Sequence, residues 1–399
     1  MVESNPPGAH GGICGGTGSG SSHLSESAVP PFQSPPRGHG LRPATGPAQR
    51  ADGRFERGAG MRQSYAAIDL GTNNCRLLIA RPAGDGFVVI DAFSRVVRLG
   101  EGLAQTGRLS QAAMDRALGA LSVCGEKLRR RKVHLARSVA TEACRRAENG
   151  ADFIERVRRE TGIALEIISA GEEARLAVLG CHILLEPGDG PAMIFDIGGG
   201  STELILVEGQ GAELAIRDWQ SVPWGVVSLT ETCGQEKSGT AARAARYSRM
   251  RQLVRDSFAD FAQRVDGARQ AGALRLLGTS GTVTTLASVH LGLPQYDRRA
   301  VDGLIVPAEA MRGISQQLAE LSPSGRRELP CIGRERSDLV VAGCAILETI
   351  LDLWPAARLG VADRGIREGI LRSLIASGGT GDENRAAIQR QRHGHGEHG

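Results

Sequence analysis

The sequence predicts an α/β protein built from two similar halves that face each other across a cleft. Three observations carry this expectation. Strand-like and helix-like runs alternate through the middle of the chain, a strand-turn-strand unit occurs twice with matching tips, and a third glycine-rich turn follows a strand and opens a helix. The 399 residues allow two domains of ordinary size, and a 41% hydrophobic content is enough for real cores.

Residues 1–60 are rich in Gly, Pro and Ser and almost free of aliphatic runs. Such a segment buries too little apolar surface to offset its ordering entropy, so the arm is expected to be disordered. Met61 stands just before the first strand-like run and is a candidate translation start. Runs 65–70, 75–80 and 87–93 read as three short strands separated by Gly or Asn turns, a meander. Ser110 then caps a helix whose Met114, Ala117, Leu118, Leu121 and Cys124 share one face. A strand is expected over 133–140, a helix over 151–161 stopped by Gly162, a strand over 165–169, and a helix running to about Leu185. A second strand-turn-strand begins at Ala192, and a strand over 274–277 leads into the third glycine-rich turn. Residues 378–399 are again polar and glycine-rich, and their His393, His395 and His398 fit a solvated tail better than a metal site.

The two tips read Asp69-Leu70-Gly71-Thr72-Asn73-Asn74 and Asp196-Ile197-Gly198-Gly199-Gly200-Ser201-Thr202. A glycine-rich turn presents several backbone N–H groups to one phosphate, because glycine accepts the backbone angles that such a nest requires. Thr72, Asn73, Ser201 and Thr202 add side-chain donors. An aspartate at the strand end would repel phosphate directly, so Asp69 and Asp196 suit a Mg²⁺ ion bridging to the phosphates. One such loop alone would be an ordinary β-hairpin turn; two of matching form on opposite walls point to a site. The third turn, containing Gly278, Ser280 and Gly281, opens a helix whose N-terminus suits an anion.

These three turns resemble the phosphate and adenosine motifs of the actin, sugar-kinase and heat-shock-chaperone superfamily. More narrowly, the chain resembles the exopolyphosphatase and guanosine pentaphosphate phosphohydrolase (Ppx/GppA) family. The narrower match rests on Arg98-Leu99-Gly100-Glu101-Gly102-Leu103, Ala140-Thr141-Glu142-Ala143-Cys144-Arg145, Ser169-Ala170-Gly171-Glu172-Glu173-Ala174 and Gly365-Ile366-Arg367-Glu368-Gly369. The resemblance spans roughly residues 64–377. It implies two ribonuclease H-like domains of the actin-like ATPase fold, the first over 64–187 with about 363–377 and the second over 188–362. It further implies Mg²⁺ and hydrolysis of a terminal phosphoanhydride by water, with inorganic polyphosphate as substrate and pppGpp as the alternative. Glu142 matches the proposed catalytic base, Glu172 and Glu173 the second acidic position, and Arg98 a phosphate-path arginine; which of Glu172 and Glu173 faces the cleft stays open. Arg145 is a further candidate for that path, and Glu203 for the metal shell. Longer members carry an added helical domain that is not expected here. A homodimer is left open.

Other readings fit less well. A sugar or acetate kinase of the same superfamily would need an acceptor-binding insertion, and a filament or scaffold protein would leave Glu142 without a purpose. Eight scattered cysteines without C-x-x-C pairs argue against zinc or a disulfide framework and suit a reducing cytoplasm. No apolar run approaches the ~18 residues of a membrane span, and the formal charge of +4 is only mildly basic, so neither a membrane nor specific nucleic acid is an expected partner. Arginine carries nearly all the positive charge, which suits two-point contacts with phosphate oxygens. The basic run 127–132 reads as a solvated helix end, and Cys124 with Arg130 lacks the glycine-rich cradle of a cysteine phosphatase.

Overall fold

A computed structural model describes residues 63–188, 190–209, 211–234, 239–267, 274–333 and 336–378. The expected arm over 1–60, Met61 and the tail beyond Gly378 lie outside them.

The first half opens with β1 (Tyr65–Leu70), β2 (Asn74–Ala83) and β3 (Gly86–Val96), an antiparallel meander. The short α1 (Leu103–Thr106) precedes α2 (Gln111–Arg130), which starts where Ser110 Oγ accepts the Ala113 amide at 3.2 Å. Ala117, Leu118, Leu121 and Cys124 are buried on its inner face, as helical spacing requires. β4 (Leu135–Ala140) begins two residues later than the sequence suggests, because Val133 still bonds back to Leu128 in the turn that ends α2. α3 (Glu142–Arg146), α4 (Gly150–Thr161) and β5 (Leu165–Ile167) follow, and Gly162 stops α4 at φ 73°. Ser169 leaves the strand early because its hydroxyl caps α5 (Ala170–Cys181) at the Glu172 amide.

The second half repeats the plan. β6 (Ala192–Ile197), β7 (Thr202–Glu208) and β8 (Ala215–Val222) form another meander. Then come α6 (Val226–Thr232), α7 (Thr240–Arg264), β9 (Arg275–Thr279), α8 (Gly281–His290) and α9 (Arg298–Val301). β10 (Ile305–Pro307), α10 (Ala308–Glu320), α11 (Pro323–Glu328), α12 (Val340–Leu353), β11 (Arg358–Ala362) and α13 (Ile366–Gly378) complete it. One sheet runs β3-β2-β1-β4-β5 and the other, read from its far edge, β8-β7-β6-β9-β11-β10. In both, a parallel pair of strands continues from the first strand of the meander; β10 is an antiparallel addition to the second sheet.

The repeat extends to register. Gly71 N donates to Asn74 O and Gly198 N to Ser201 O, each at 2.9 Å, so both turns close alike. Asp69 therefore stands opposite Arg76 on β2, and Asp196 opposite Glu203 on β7.

α5 and α13 lie between the sheets. Ala174, Ala177, Val178 and Cys181 of α5 share a core with Ile194 of β6 and Ile205 of β7. Ile366, Ile370 and Leu371 of α13 pack with Tyr65 and Ala67 of β1, so the last helix returns to the first sheet. The two helices cross backbone to backbone: a Cβ on Gly180 would collide with the Gly365 carbonyl, and one on Gly369 with the Leu176 carbonyl. Gly369→Ala is therefore expected to cost about 1–3 kcal/mol through overpacking against backbone. That corresponds to a fall of roughly 3–10 °C in melting temperature. Unchanged thermal melting would show that the crossing yields without cost.

Candidate active site

Both glycine turns open onto one cavity of about 140 Å³, lined by Asp69, Thr72 and Glu142 from the first half and Asp196, Gly199 and Ser280 from the second. The turns touch. A Cβ on Gly199 would lie 3.0 Å from Thr72 Cβ and 3.1 Å from the Asn73 amide nitrogen, and one on Gly200 2.6 Å from Thr72 Oγ1. Only glycine allows the second turn this close to the first.

Gly71, Asn73, Asn74, Gly198 and Ser201 also line the cavity, and Ser280 with Gly281 contributes the N-terminus of α8. Ser280 holds φ 136°, and its Oγ accepts the Thr282 and Val283 amides. Two expected phosphate contacts face elsewhere. Thr202 is fully buried and donates to Trp224 O at 2.6 Å, while Gly278 provides room for the Phe195 ring. Arg98 is exposed and does not line the cavity; its backbone N–H supports the first turn at Asn73 O instead.

The acidic pair separates cleanly. Glu172 points away into ion pairs with Arg137 at 2.8 Å and Arg175 at 2.7 Å. Burial would raise its carboxyl, but those hydrogen bonds outweigh it and hold it below the usual range. Glu173 lines the cavity. Burial pushes its carboxyl well above the ordinary value, Glu203 adds to this, and Arg145 offsets it only partly. Arg145 links the carboxylates: Nη2 and Nε donate to Glu142 Oε2 at 2.7 and 3.1 Å, and Nη1 to Glu173 Oε2 at 3.1 Å and Ile168 O at 2.9 Å.

Asp69, Asp196 and Glu203 all face this interior. Burial raises Asp69, while Arg76 and Arg367 draw it back. Asp196 is pushed up to about 8, by burial and then by Glu203. Glu203 is raised by burial against two hydroxyl bonds, from Ser201 and Ser221, each 2.7 Å. Among the described residues, no group of three or more His, Cys, Asp or Glu side chains is arranged to hold a metal ion on its own. The donor set nevertheless fits Mg²⁺, which usually takes one or two carboxylates and completes its shell with water and substrate oxygens.

Sequence reasoning passed over the arginines of the cavity. Arg76 lines it beside Asp69, and Arg336 reaches it from above α8, donating to Thr285 Oγ1 at 2.9 Å. Arg76 had a signal: it follows Asp69 by the same interval at which Glu203 follows Asp196. Arg336 had none, because a chain turn far along the sequence delivers it.

The model of the Ppx/GppA phosphatase family matches residues 78–377. The chain belongs to this family. A similar protein is Exopolyphosphatase 2 of Mycobacterium tuberculosis, 32% identical over 327 residues that take in 77% of this chain and 98% of that one. A similar solved structure is that of the Aquifex aeolicus Ppx/GppA family member, with TM-score 0.64 and 28% identity, covering 79% of this chain and 98% of that one. An exopolyphosphatase structure from Cytophaga hutchinsonii, TM-score 0.69 at 24% identity over 79% of this chain and 98% of that one, shares the fold.

In this Ppx/GppA phosphatase, contact between the turns sets the width of the cavity onto which both open. Gly200→Ala would place its methyl 2.6 Å from Thr72 Oγ1 and 2.9 Å from Glu142 Cγ. It is expected to cut kcat/KM at least tenfold while leaving the melting temperature within a few degrees. Wild-type kinetics in this variant would show that the turns need not touch.

Proposed function

We propose that this phosphatase is an exopolyphosphatase that releases terminal orthophosphate from inorganic polyphosphate. The observation that carries the proposal is one cavity in which two backbone phosphate turns face Glu173, a buried carboxylate of raised proton affinity. In this reading the turns at Gly71 and Gly198 hold phosphate oxygens with backbone N–H groups. Arg76 and Arg336 offset the charge of the chain. Glu173 takes a proton from the attacking water as the water oxygen bonds to the terminal phosphorus, and the bridging oxygen leaves on the shortened chain. Arg145 orients Glu173, and Glu142 orients Arg145. Asp69 and Asp196, with Glu203, would hold Mg²⁺, which when bound supplies charge neutralisation on the phosphate oxygens.

Assigning the base to Glu173 rather than Glu142 rests on the hydrogen bonds. Both Nε and Nη2 of Arg145 converge on Glu142 Oε2, which fits an orienting carboxylate. The free thiols of the described cysteines support a reducing, cytoplasmic setting.

Phosphate release by the purified protein from polyphosphate, pppGpp and ATP, with and without Mg²⁺, tests the proposal. Release from polyphosphate that depends on Mg²⁺ is expected; none from polyphosphate defeats it.

Two predictions separate the roles. Glu173→Gln is expected to slow turnover by roughly 10²–10⁴ with substrate affinity kept, and Glu142→Gln to cost less. The base works deprotonated, and its raised pKa keeps it protonated to higher pH. The acid limb of kcat/KM should therefore lie above the usual carboxylate range and disappear in Glu173→Gln. A larger loss in Glu142→Gln, with the limb intact in Glu173→Gln, returns the base to Glu142. Asp69→Ala and Asp196→Ala are expected to raise the Mg²⁺ concentration needed for half-maximal rate; equal requirements in mutants and wild type would remove both from the metal site.

A further inference from the structure

One hydrogen bond ties together the two segments that support the phosphate turns. The segment before α1 is fastened to the first turn: Val97 N and Arg98 N donate to Asn73 O at 2.8 and 3.0 Å, and Gly100 N donates to Thr72 O at 2.9 Å. α6 is fastened to the second: Val226 N donates to Gly198 O at 3.0 Å, Val227 N to Gly199 O at 2.8 Å, and Ser228 Oγ to Gly200 O at 3.0 Å. Between these supports, Gly102 N donates to Glu231 Oε1 at 2.9 Å. Gly102 stands at φ 77°, a backbone state in which only glycine is at ease, and that state aims its N–H at α6.

Glu231 has a second feature. Its Oε2 is buried and has no hydrogen-bond partner among the described residues. It borders a small space behind Glu142, lined also by Thr72, Gly200, Ser228 and Arg146. A buried carboxylate oxygen without a partner costs free energy that water would repay if the segments parted. The contact between the two segments thus rests on the single hydrogen bond from Gly102 N to Oε1.

We infer that Glu231 is a latch: a positioning residue that holds the two phosphate turns together by accepting the Gly102 N–H. Glu231 touches neither phosphate turn's open face; it acts through α6 and the segment 97–102. The inference rests on the phosphohydrolase reading for its kinetic consequence but not for its structural one. A bound phosphate chain contacts both turns and pulls them together, so it compensates in part for a lost latch.

The test compares wild type, Glu231→Ala and Glu231→Gln by steady-state hydrolysis of polyphosphate, by solution X-ray scattering of the substrate-free protein, and by thermal melting. In Glu231→Ala, kcat/KM is expected to fall about 10–100-fold, the change expected for a hydrogen bond to a charged group. Most of the fall should sit in KM, with a larger radius of gyration and little change in melting temperature. Glu231→Gln keeps an oxygen acceptor and should recover most of both properties. Wild-type scattering and kinetics in Glu231→Ala overturn the latch, as does Glu231→Gln impaired to the same extent as Glu231→Ala. If the wild type releases no phosphate, the hydrolytic reading fails, and the scattering comparison alone still decides the latch.

Discussion

Everything in this site depends on how closely two glycine turns can approach. Gly200 stands against Thr72 and Glu142 with no room for a Cβ, and Gly199 against Thr72 and Asn73 with little. The approach is maintained from behind. Gly225 lies so close to Gly199 that a methyl there would strike its backbone, and a methyl on Gly100 would strike the Thr72 side chain. Glycine is costly to order. Its concentration here makes sense where backbone N–H groups, rather than side chains, must face an anion from two sides.

A second constraint is charge. Asp69, Asp196, Glu173 and Glu203 raise one another's proton affinity or are raised by shared burial, and arginines only partly offset this. So many carboxylates in one buried place repel one another, and Arg76 among them offsets part of that charge. The two halves divide this work asymmetrically. The repeat places an arginine opposite the first aspartate and a glutamate opposite the second. A symmetric scaffold thus carries an asymmetric site, with an arginine on one hairpin where the other has a glutamate.

The two halves are joined at two places besides the glycine turns. Where α5 crosses α13, small residues bring backbones into contact and connect the cores of the two sheets. Away from that crossing, Glu231 joins α6 to the segment before α1. The first is a contact of backbone on backbone, and the second a single hydrogen bond to a carboxylate.

The fold was legible in the sequence because its signals are local. Strand alternation, the Ser110 cap, the Gly162 stop and the paired Asp-x-Gly turns each depend on residues a few positions apart. The repeat was legible for the same reason, and with it the two glycine turns and the aspartates that precede them. The choice between Glu172 and Glu173 was not: adjacent helical positions point about 100° apart, and only the packing of α5 shows which one turns inward. Arg98 and Gly278 matched the motif but face elsewhere, since a motif records residue order and not side-chain direction. Arg336 and Glu231 reach the site or its supports across long stretches of chain, from α12's approach and from α6. The two hairpins and their glycine turns followed from residue order alone, because hydrogen bonding within a hairpin is a short-range matter. Tertiary structure alone decided which charged groups meet in the cavity, because their burial and spacing are set by how distant elements pack.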